Sequence, residues 1–281
     1  FDPFGWEFSG RKCVVMDVSS GESVGVPVDL TGSVLRDAAL SSDGELLAVA
    51  TRTKARDYSL SVRKTATSEP VGTSITLPAD PQAIAFSPDD KQIAVYCGNG
   101  TSLLYSFADS SVLWEAKDDR LSGGMATRSV VFTSDGQTVV TTGPELAAVR
   151  NVEDGSLRFE PLQTGGRLKA AISPDNSALA LAAQGPGGLR VFDLETGKPL
   201  SETMVHSDFV FELAFSRDGR LLLTAGRDGQ ALLWNWRENR RVCPPLDHPD
   251  EVYDVALTPN NEFAITACRD GYVRIWELTT G

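Results

Sequence analysis

One sequence pattern occurs twice in the last part of the chain, with the same spacing between its residues. The first copy starts at His206 and reads HSDFVFELAFSRDGRLLLTAGRDGQALLW, and the second starts 42 positions later at His248 and reads HPDEVYDVALTPNNEFAITACRDGYVRIW. Each copy holds three short apolar runs that are separated by tight-turn residues such as Arg227-Asp228-Gly229. Short apolar runs with this punctuation predict antiparallel strands. A repeat of about 43 residues indicates an array of similar units.

A common turn marks six such units along the chain. A Ser or Thr begins each turn, and Asp, Asn or Gly follows, which is typical of a type I turn or its glycine-bulged hairpin variant. The six turns are Ser41-Ser42-Asp43-Gly44, Ser87-Pro88-Asp89-Asp90, Thr133-Ser134-Asp135-Gly136, Ser173-Pro174-Asp175-Asn176, Ser216-Arg217-Asp218-Gly219 and Thr258-Pro259-Asn260-Asn261.

A small and a bulky residue precede each turn, two places and one place before it. Neighbours on a strand point to opposite faces, so the small column faces something crowded and the bulky column faces a roomier core. The pairs are Ala39-Leu40, Ala85-Phe86, Val131-Phe132, Ala171-Ile172, Ala214-Phe215 and Ala256-Leu257. First strands that meet near a shared axis, with the alanines on that axis, would produce this pairing of a small and a bulky column.

Four strands are predicted in most units. The fourth strands are expected at Thr73–Leu77, Val112–Glu115, Leu157–Pro161, Leu200–Val205 and Arg241–Leu246. A four-stranded sheet of this size cannot close a core alone, so the units must stack side by side. Residues Cys13 to Asp29 match the third and fourth strands of an earlier unit, with Gly5–Gly10 as its second strand.

The chain is therefore predicted to be a single all-β domain, a β-propeller of four-stranded antiparallel blades. Seven blades are expected, with a seam that this sequence leaves incomplete, and a six-bladed ring is the alternative. The predicted divisions are a partial blade at 1–32 and repeats at about 33–78, 79–124, 125–165, 166–206, 207–248 and 249–281.

These units resemble the WD-repeat β-propeller family, most strongly from Leu189 onward. The resemblance implies two buried hydrogen-bonded tetrads, each with a His before the first strand, a Thr on the second, an Asp in the next turn and a Trp on the third. The matching residues are His206, Thr224, Asp228 and Trp234, and then His248, Thr266, Asp270 and Trp276. The chain has no other histidine, so its remaining units depart from the pattern.

Composition excludes several function classes. A formal net charge of −12 argues against nucleic acid as the main partner. No apolar window approaches a membrane span, and the four widely spaced cysteines lack a zinc-ligand pattern. Both histidines occupy the same structural position of the repeat, so we expect no catalytic residue, no metal and no cofactor.

We expect a cytoplasmic protein, and the Phe at position 1 suggests a piece cut from a longer chain.

A candidate partner-binding face remains. The residues five places before each turn are Arg36, Gln82, Arg128, Leu168, Phe211 and Tyr253, and Arg167, Arg227 and Arg269 are expected on the same face. Arginine and aromatic residues are enriched in protein-recognition hot spots. This face is predicted to be a basic, aromatic spot that suits an acidic peptide or protein segment.

The predicted function is a non-enzymatic protein–protein interaction scaffold, presenting loops within a larger multidomain chain. One alternative is a regulatory or sensor propeller attached to a catalytic domain elsewhere in the chain, such as a signalling kinase. Another is an enzymatic or small-molecule-binding propeller, which would need acids, histidines or amides converging on the axis.

Overall fold

The computed structural model describes residues 12–17, 20, 22–123, 129–163, 166, 168–183 and 188–278. The strand predicted at Gly5–Gly10 lies outside these residues. So do two of the candidate binding residues, Arg128 and Arg167.

The described residues form seven antiparallel sheets. The first three comprise β1 (Lys12–Met16) and β2 (Ser23–Asp29); β3 (Ser33–Leu40), β4 (Leu46–Thr53), β5 (Tyr58–Lys64) and β6 (Pro70–Thr76); and β7 (Pro81–Phe86), β8 (Gln92–Cys97), β9 (Thr101–Ser106) and β10 (Ser111–Lys117). A 3₁₀ helix, Asp119–Leu121, follows. The fourth and fifth comprise β11 (Val130–Phe132), β12 (Thr138–Thr142), β13 (Leu146–Asn151) and β14 (Leu162–Gln163); and β15 (Leu168–Ile172), β16 (Ala178–Ala183) and β17 (Leu189–Asp193). The last two comprise β18 (Val210–Phe215), β19 (Leu221–Gly226), β20 (Gln230–Asn235), β21 (Arg240–Arg241) and β22 (Leu246–Asp247); and β23 (Val252–Leu257), β24 (Phe263–Cys268) and β25 (Val273–Glu277).

The sheets follow one another as blades. Strands within each sheet pair in chain order, except that β22 pairs with β20 beside β21. From the second sheet to the seventh, the first strand of each sheet contacts the first strand of the next. Seven sheets agree with the seven predicted blades, and the all-β propeller fold is confirmed.

The hydrophobic core is divided into six clusters, each between two consecutive blades. In four of these interfaces the small residue of one blade and the bulky residue of the next belong to the same cluster. The pairs are Ala39 with Phe86, Ala85 with Phe132, Val131 with Ile172, and Ala171 with Phe215. Close packing requires such matching of volumes. These small residues therefore pack in the interfaces between blades, where they leave room for the bulky residue of the next blade.

The six repeated turns adopt the predicted geometry. In each, the carbonyl of the first residue accepts a hydrogen bond from the N–H of the fourth at 2.9–3.0 Å. The fourth residue has a φ between 55° and 73°, and it is Gly, Asp or Asn, the residue types that tolerate this region.

A side-chain network reinforces these six turns. The hydroxyl of the first Ser or Thr donates to the Asp or Asn two positions on, at 2.5–2.7 Å. It also accepts the N–H of the residue five positions on, at 2.8–3.0 Å. The Thr133 hydroxyl, for example, lowers the pKa of Asp135. This network recurs in blades that lack a histidine, so each hairpin is stabilised without a tetrad.

Turns of adjacent blades are also matched to each other. The Ser42 N–H donates to the Asp90 carboxylate, and the Ser134 N–H donates to the Asn176 amide oxygen, both at 2.9 Å. Where the second turn residue is Pro88, which has no N–H, the next blade has Gly136 beside it. Pro174 is likewise followed by Gly219.

The fourth strands differ from their prediction in blades four to six. Instead of continuous strands, blade four has the bridge Arg150–Leu157 and the short β14, and blade five has only the bridges Phe192–Pro199 and Leu189–Met204. Blade six has β21 and β22. The physical reason is proline, which cannot donate to a strand ladder: these segments contain Pro161, Pro199, Pro244 and Pro245.

Candidate functional site

The connecting segments divide between two faces of the propeller. The turn between second and third strands bonds to the segment before the first strand, as in Gly98 N–H to Asp80 O and Arg227 N–H to Phe209 O, at 2.8 and 2.7 Å. We call this end the upper face. At the other end, the turn after the third strand bonds to the first hairpin, as in Thr65 N–H to Glu45 O at 2.8 Å. We call that end the lower face.

Four of the predicted binding residues lie at β-bulges on the first strands, toward the upper face. The strand register shifts at Arg36, Gln82, Phe211 and Tyr253, each of which is the extra residue of its bulge. A bulge bends the strand and re-aims the side chain. The sequence column thus corresponds to a repeated backbone irregularity, which an alternating pattern alone could not reveal.

The strongest concentration of predicted residues lies between blades six and seven, around Glu251. Its carboxylate accepts hydrogen bonds from Arg227 Nε at 3.2 Å and from the Tyr253 hydroxyl at 3.1 Å, and it lies 3.7 Å from Arg269 Nη1. The Glu251 side chain is 10% exposed, whereas Arg227 and Arg269 are 44% and 56% exposed. Burial, followed by the hydrogen bond to Glu251, raises the pKa of Tyr253. Two partly exposed guanidinium groups therefore share one buried carboxylate.

Carboxylates missed by the sequence analysis make this face less basic than predicted. Arg36 pairs with Asp80 at 2.8 Å, and Arg269 also lies 4.0 Å from Asp250. Phe211 is 4% exposed and packs against the Tyr253 ring at 5.5 Å between centroids, so it supports the surface from beneath. The segment before each first strand carried the missing signal, since Asp80, Asp250 and Glu251 all lie there.

Charged residues one position after the predicted column were also missed. Lys169 Nζ bonds to Glu212 Oε2 at 2.7 Å, joining blades five and six. Asp37 accepts the N–H of Ile84 at 2.8 Å, joining blades two and three, and the N–H of Ala38 at 2.9 Å. Burial raises the pKa of Asp37 to about 6, against the lowering effect of these hydrogen bonds and of Lys169. These charged residues lie four positions before the turns, directly after the column of predicted binding residues.

The structure brings the four residues of the first tetrad together. His206 Nδ1 lies 2.9 Å from Asp228 Oδ2, and His206 Nε2 lies 2.7 Å from Thr224 Oγ1. Trp234 Nε1 donates to the same Thr224 oxygen at 3.0 Å. Both polar side chains of the His206–Asp228 pair are almost fully buried, at 1% and 5% exposed.

The second tetrad is incomplete. His248 Nε2 and Trp276 Nε1 both contact Thr266 Oγ1, at 2.7 and 3.0 Å, but His248 Nδ1 lies 2.8 Å from the Leu246 carbonyl instead of Asp270. The Asp270 carboxylate pairs with both terminal nitrogens of Arg274, which lowers the pKa of Asp270. The first copy has Leu232 where the second has Arg274, so this competing partner was visible in the sequence.

Within the described ranges, no group of three or more His, Cys, Asp or Glu residues could hold a metal ion. No helix among the residues described by the structure has the length and apolarity to cross a membrane.

Comparison with known proteins identifies a family model and a solved structure that resemble this chain. A family model described as "WD domain, G-beta repeat" matches residues 197–235 and 242–277. The crystal structure of the C-terminal WD40 domain of Sif2 matches with a TM-score of 0.71 at 16% identity, covering 91% of this chain and 70% of that one. The chain folds as a WD40-type β-propeller. Its last two blades are WD40 repeats, and such propellers are generally protein-interaction scaffolds.

Sequence relatives of this WD40-type propeller include proteins that are named for their WD repeats. WD repeat-containing protein 55 of Bos taurus is 28% identical over 172 residues, covering 59% of this chain and 44% of the relative. Striatin-4 of Homo sapiens is 26% identical over 158 residues, covering 54% of this chain and 21% of the relative. The matched part thus spans less than half the length of either relative.

Proposed function

We propose that this propeller is a non-enzymatic scaffold that binds a protein or peptide on its upper face, where blades six and seven meet. The observation that carries the proposal is the pair of partly exposed guanidinium groups, Arg227 and Arg269, around the buried Glu251 carboxylate. A single carboxylate cannot occupy all ten N–H donors of two guanidinium groups, so donors remain for a partner's carboxylates or carbonyls.

Aromatic side chains beside these arginines favour a protein partner. Arg227 lies 5.7 Å from the centroid of the Phe209 ring, and the half-buried Tyr253 stacks on Phe211. Arginine and tyrosine anchored on a rigid support provide binding energy at low entropic cost. The bulge at Tyr253 and the blade beneath it supply that support.

The histidines of the chain argue for adhesion over catalysis. Both ring nitrogens of His206 are engaged, by Asp228 and Thr224, and both of His248, by Leu246 and Thr266. A general base needs a ring nitrogen within hydrogen-bond reach of its substrate. These imidazoles instead form hydrogen bonds that stabilise the last two blades.

Selection of peptides tests the proposal. A phage-displayed library of random peptides is selected on the immobilised chain, and one selected peptide is synthesised for titration. We expect it to contain Asp or Glu, and we expect Arg227→Gln/Arg269→Gln to weaken its binding on the order of tenfold.

The matched control is Lys91→Gln, an exposed cation in a lower-face turn, which should leave the affinity unchanged. Circular dichroism melts establish that all variants remain folded. Selected peptides that bind the double variant as tightly as the parent would refute the placement of the site.

A further inference from the structure

The lower face of blade six carries a concentration of arginines that the upper-face proposal does not use. They lie in the first hairpin turn, in the turn after the third strand and on β21, and all are exposed. They are Arg217, Arg220, Arg237, Arg240 and Arg241. We refer to these five residues as the arginine patch.

Strand pairing brings the five together. Leu221 is paired with Asn235, so Arg220 and Arg237, just beyond that pair, lie at the same end of the sheet. Trp236 Nε1 donates to the Gly219 carbonyl at 2.9 Å and ties the two turns to each other. Arg240 and Arg241 pair with Asn235 and Trp234 on the other side of β20, at the same end. The patch is therefore one surface that three segments build.

Two of the guanidinium groups rest on buried indole rings. The Arg237 guanidinium carbon lies 4.1 Å from the Trp236 ring centroid, and that of Arg241 lies 5.4 Å from the Trp234 centroid. Stacking on an aromatic face orients a guanidinium group and leaves its in-plane donors open. These rings are 1% and 6% exposed, so they present arginine, not aromatic surface, to solvent.

The patch is positive although the chain as a whole is strongly acidic. Its two turns contain two carboxylates, Asp218 and Glu238, beside the five arginines. Glu238 pairs with Arg240 at 2.5 Å, while Asp218 accepts the Ser216 hydroxyl and the Arg220 N–H. Among the described residues, no other ion pair involves the arginine patch. On the upper face, by contrast, Arg36, Arg227 and Arg269 all have carboxylates beside them.

We propose that the arginine patch binds an acidic segment, rich in Asp and Glu, of a partner protein. Planar guanidinium forks match carboxylates bidentately, and a patch of this sign attracts an acidic segment during encounter. Nucleic acid is disfavoured because both indole rings of the patch are buried and covered by arginine, so neither is open for a base to stack on.

A charged probe peptide tests this assignment. Fluorescein-labelled decaglutamate is titrated with the 281-residue chain at 0.15 M salt, with anisotropy as the readout. We expect saturable binding that weakens as salt rises, because the contacts are ionic. Arg217→Gln/Arg220→Gln/Arg240→Gln should weaken it on the order of tenfold. Arg237 and Arg241 are left intact because they pack on the core.

The control is Lys64→Gln/Lys91→Gln, which removes two exposed cations from the lower-face turns of blades two and three and should leave decaglutamate binding unchanged. The triple variant is also made in the Arg227→Gln/Arg269→Gln background, where the same fall in affinity is expected because the arginine patch acts independently of the proposed upper-face site. Thermal melts by circular dichroism verify folding of all variants.

Four results would overturn the inference. These are no saturable binding by the parent chain, an equal loss in the Lys64→Gln/Lys91→Gln control, tighter binding of a single-stranded decanucleotide than of decaglutamate, or self-association on gel filtration that the triple variant abolishes. The last would make a second copy of the chain the partner.

Discussion

The two tetrad aspartates allow a matched test of what holds these blades together. Asp228 Oδ2 accepts His206 Nδ1 at 2.9 Å and the N–H and hydroxyl of Ser207 at 3.1 and 3.0 Å, and its Oδ1 accepts the Gln230 N–H at 3.1 Å. Asp270, in the same sequence position, has no hydrogen bond to His248, whose Nδ1 lies beside the Leu246 carbonyl. Asp228→Ala should therefore destabilise the propeller much more than Asp270→Ala.

The magnitude follows from the partners left behind. Removing the Asp228 carboxylate leaves the ring nitrogen of His206, whose side chain is 1% exposed, without its acceptor. An unsatisfied buried donor costs roughly 1–3 kcal/mol, and hydrogen bonds to a charged group contribute roughly 1.5–3 kcal/mol. We expect a loss of about 3 kcal/mol, which corresponds to a fall of about 5–10 °C in the midpoint of thermal unfolding. Asp270→Ala removes the pairing with Arg274 and the hydrogen bond that the Tyr272 N–H donates at 3.0 Å, and it leaves no buried histidine without an acceptor.

The measurement is thermal and urea unfolding of both variants, followed by tryptophan fluorescence and circular dichroism. Asp228→Asn, which keeps an acceptor oxygen, should recover part of the loss. Equal losses for the two alanine variants would contradict the assignment of one complete and one incomplete tetrad. So would an Asp228→Ala variant that melts with the parent.

Two further predictions concern stability. Gly155→Ala should lower the free energy of unfolding by about 2–3 kcal/mol, because a Cβ there would lie 2.7 Å from the Trp114 ring at a backbone φ of 73°. Gly44 has the same φ but open space around it, so Gly44→Ala should lower that free energy by only about 1 kcal/mol. Urea unfolding of both variants measures the difference. Asp37, whose pKa burial raises to about 6 from 3.8, binds its proton more tightly in the folded state. Its contribution to stability is therefore greatest below pH 3.8 and is lost as pH rises through 6. Lowering the pH from 7 to 5 should raise the free energy of unfolding by about 1 kcal/mol, and Asp37→Asn should abolish that rise.

The repeat and its turns could be predicted because they depend on local chemistry. A turn such as Ser216-Arg217-Asp218-Gly219 specifies its own backbone, since the hydroxyl, the carboxylate and the residue at positive φ are all within four positions. Apolar runs beside such turns specify strands for the same reason. Each four-stranded unit has apolar faces that it cannot bury alone, and side-by-side stacking of the units buries them. The propeller therefore follows from the sequence.

The tertiary structure decided the electrostatics and the partners of individual side chains. Whether Asp270 meets His248 or Arg274, and whether Arg36 is free or bound to Asp80, depends on distances between segments that lie side by side only after the blades have stacked. Bulges on the first strands, such as that at Tyr253, turn side chains by amounts that no periodicity encodes. The arginine patch likewise exists only because the pairing of β19, β20 and β21 joins three separate segments at one end of a sheet.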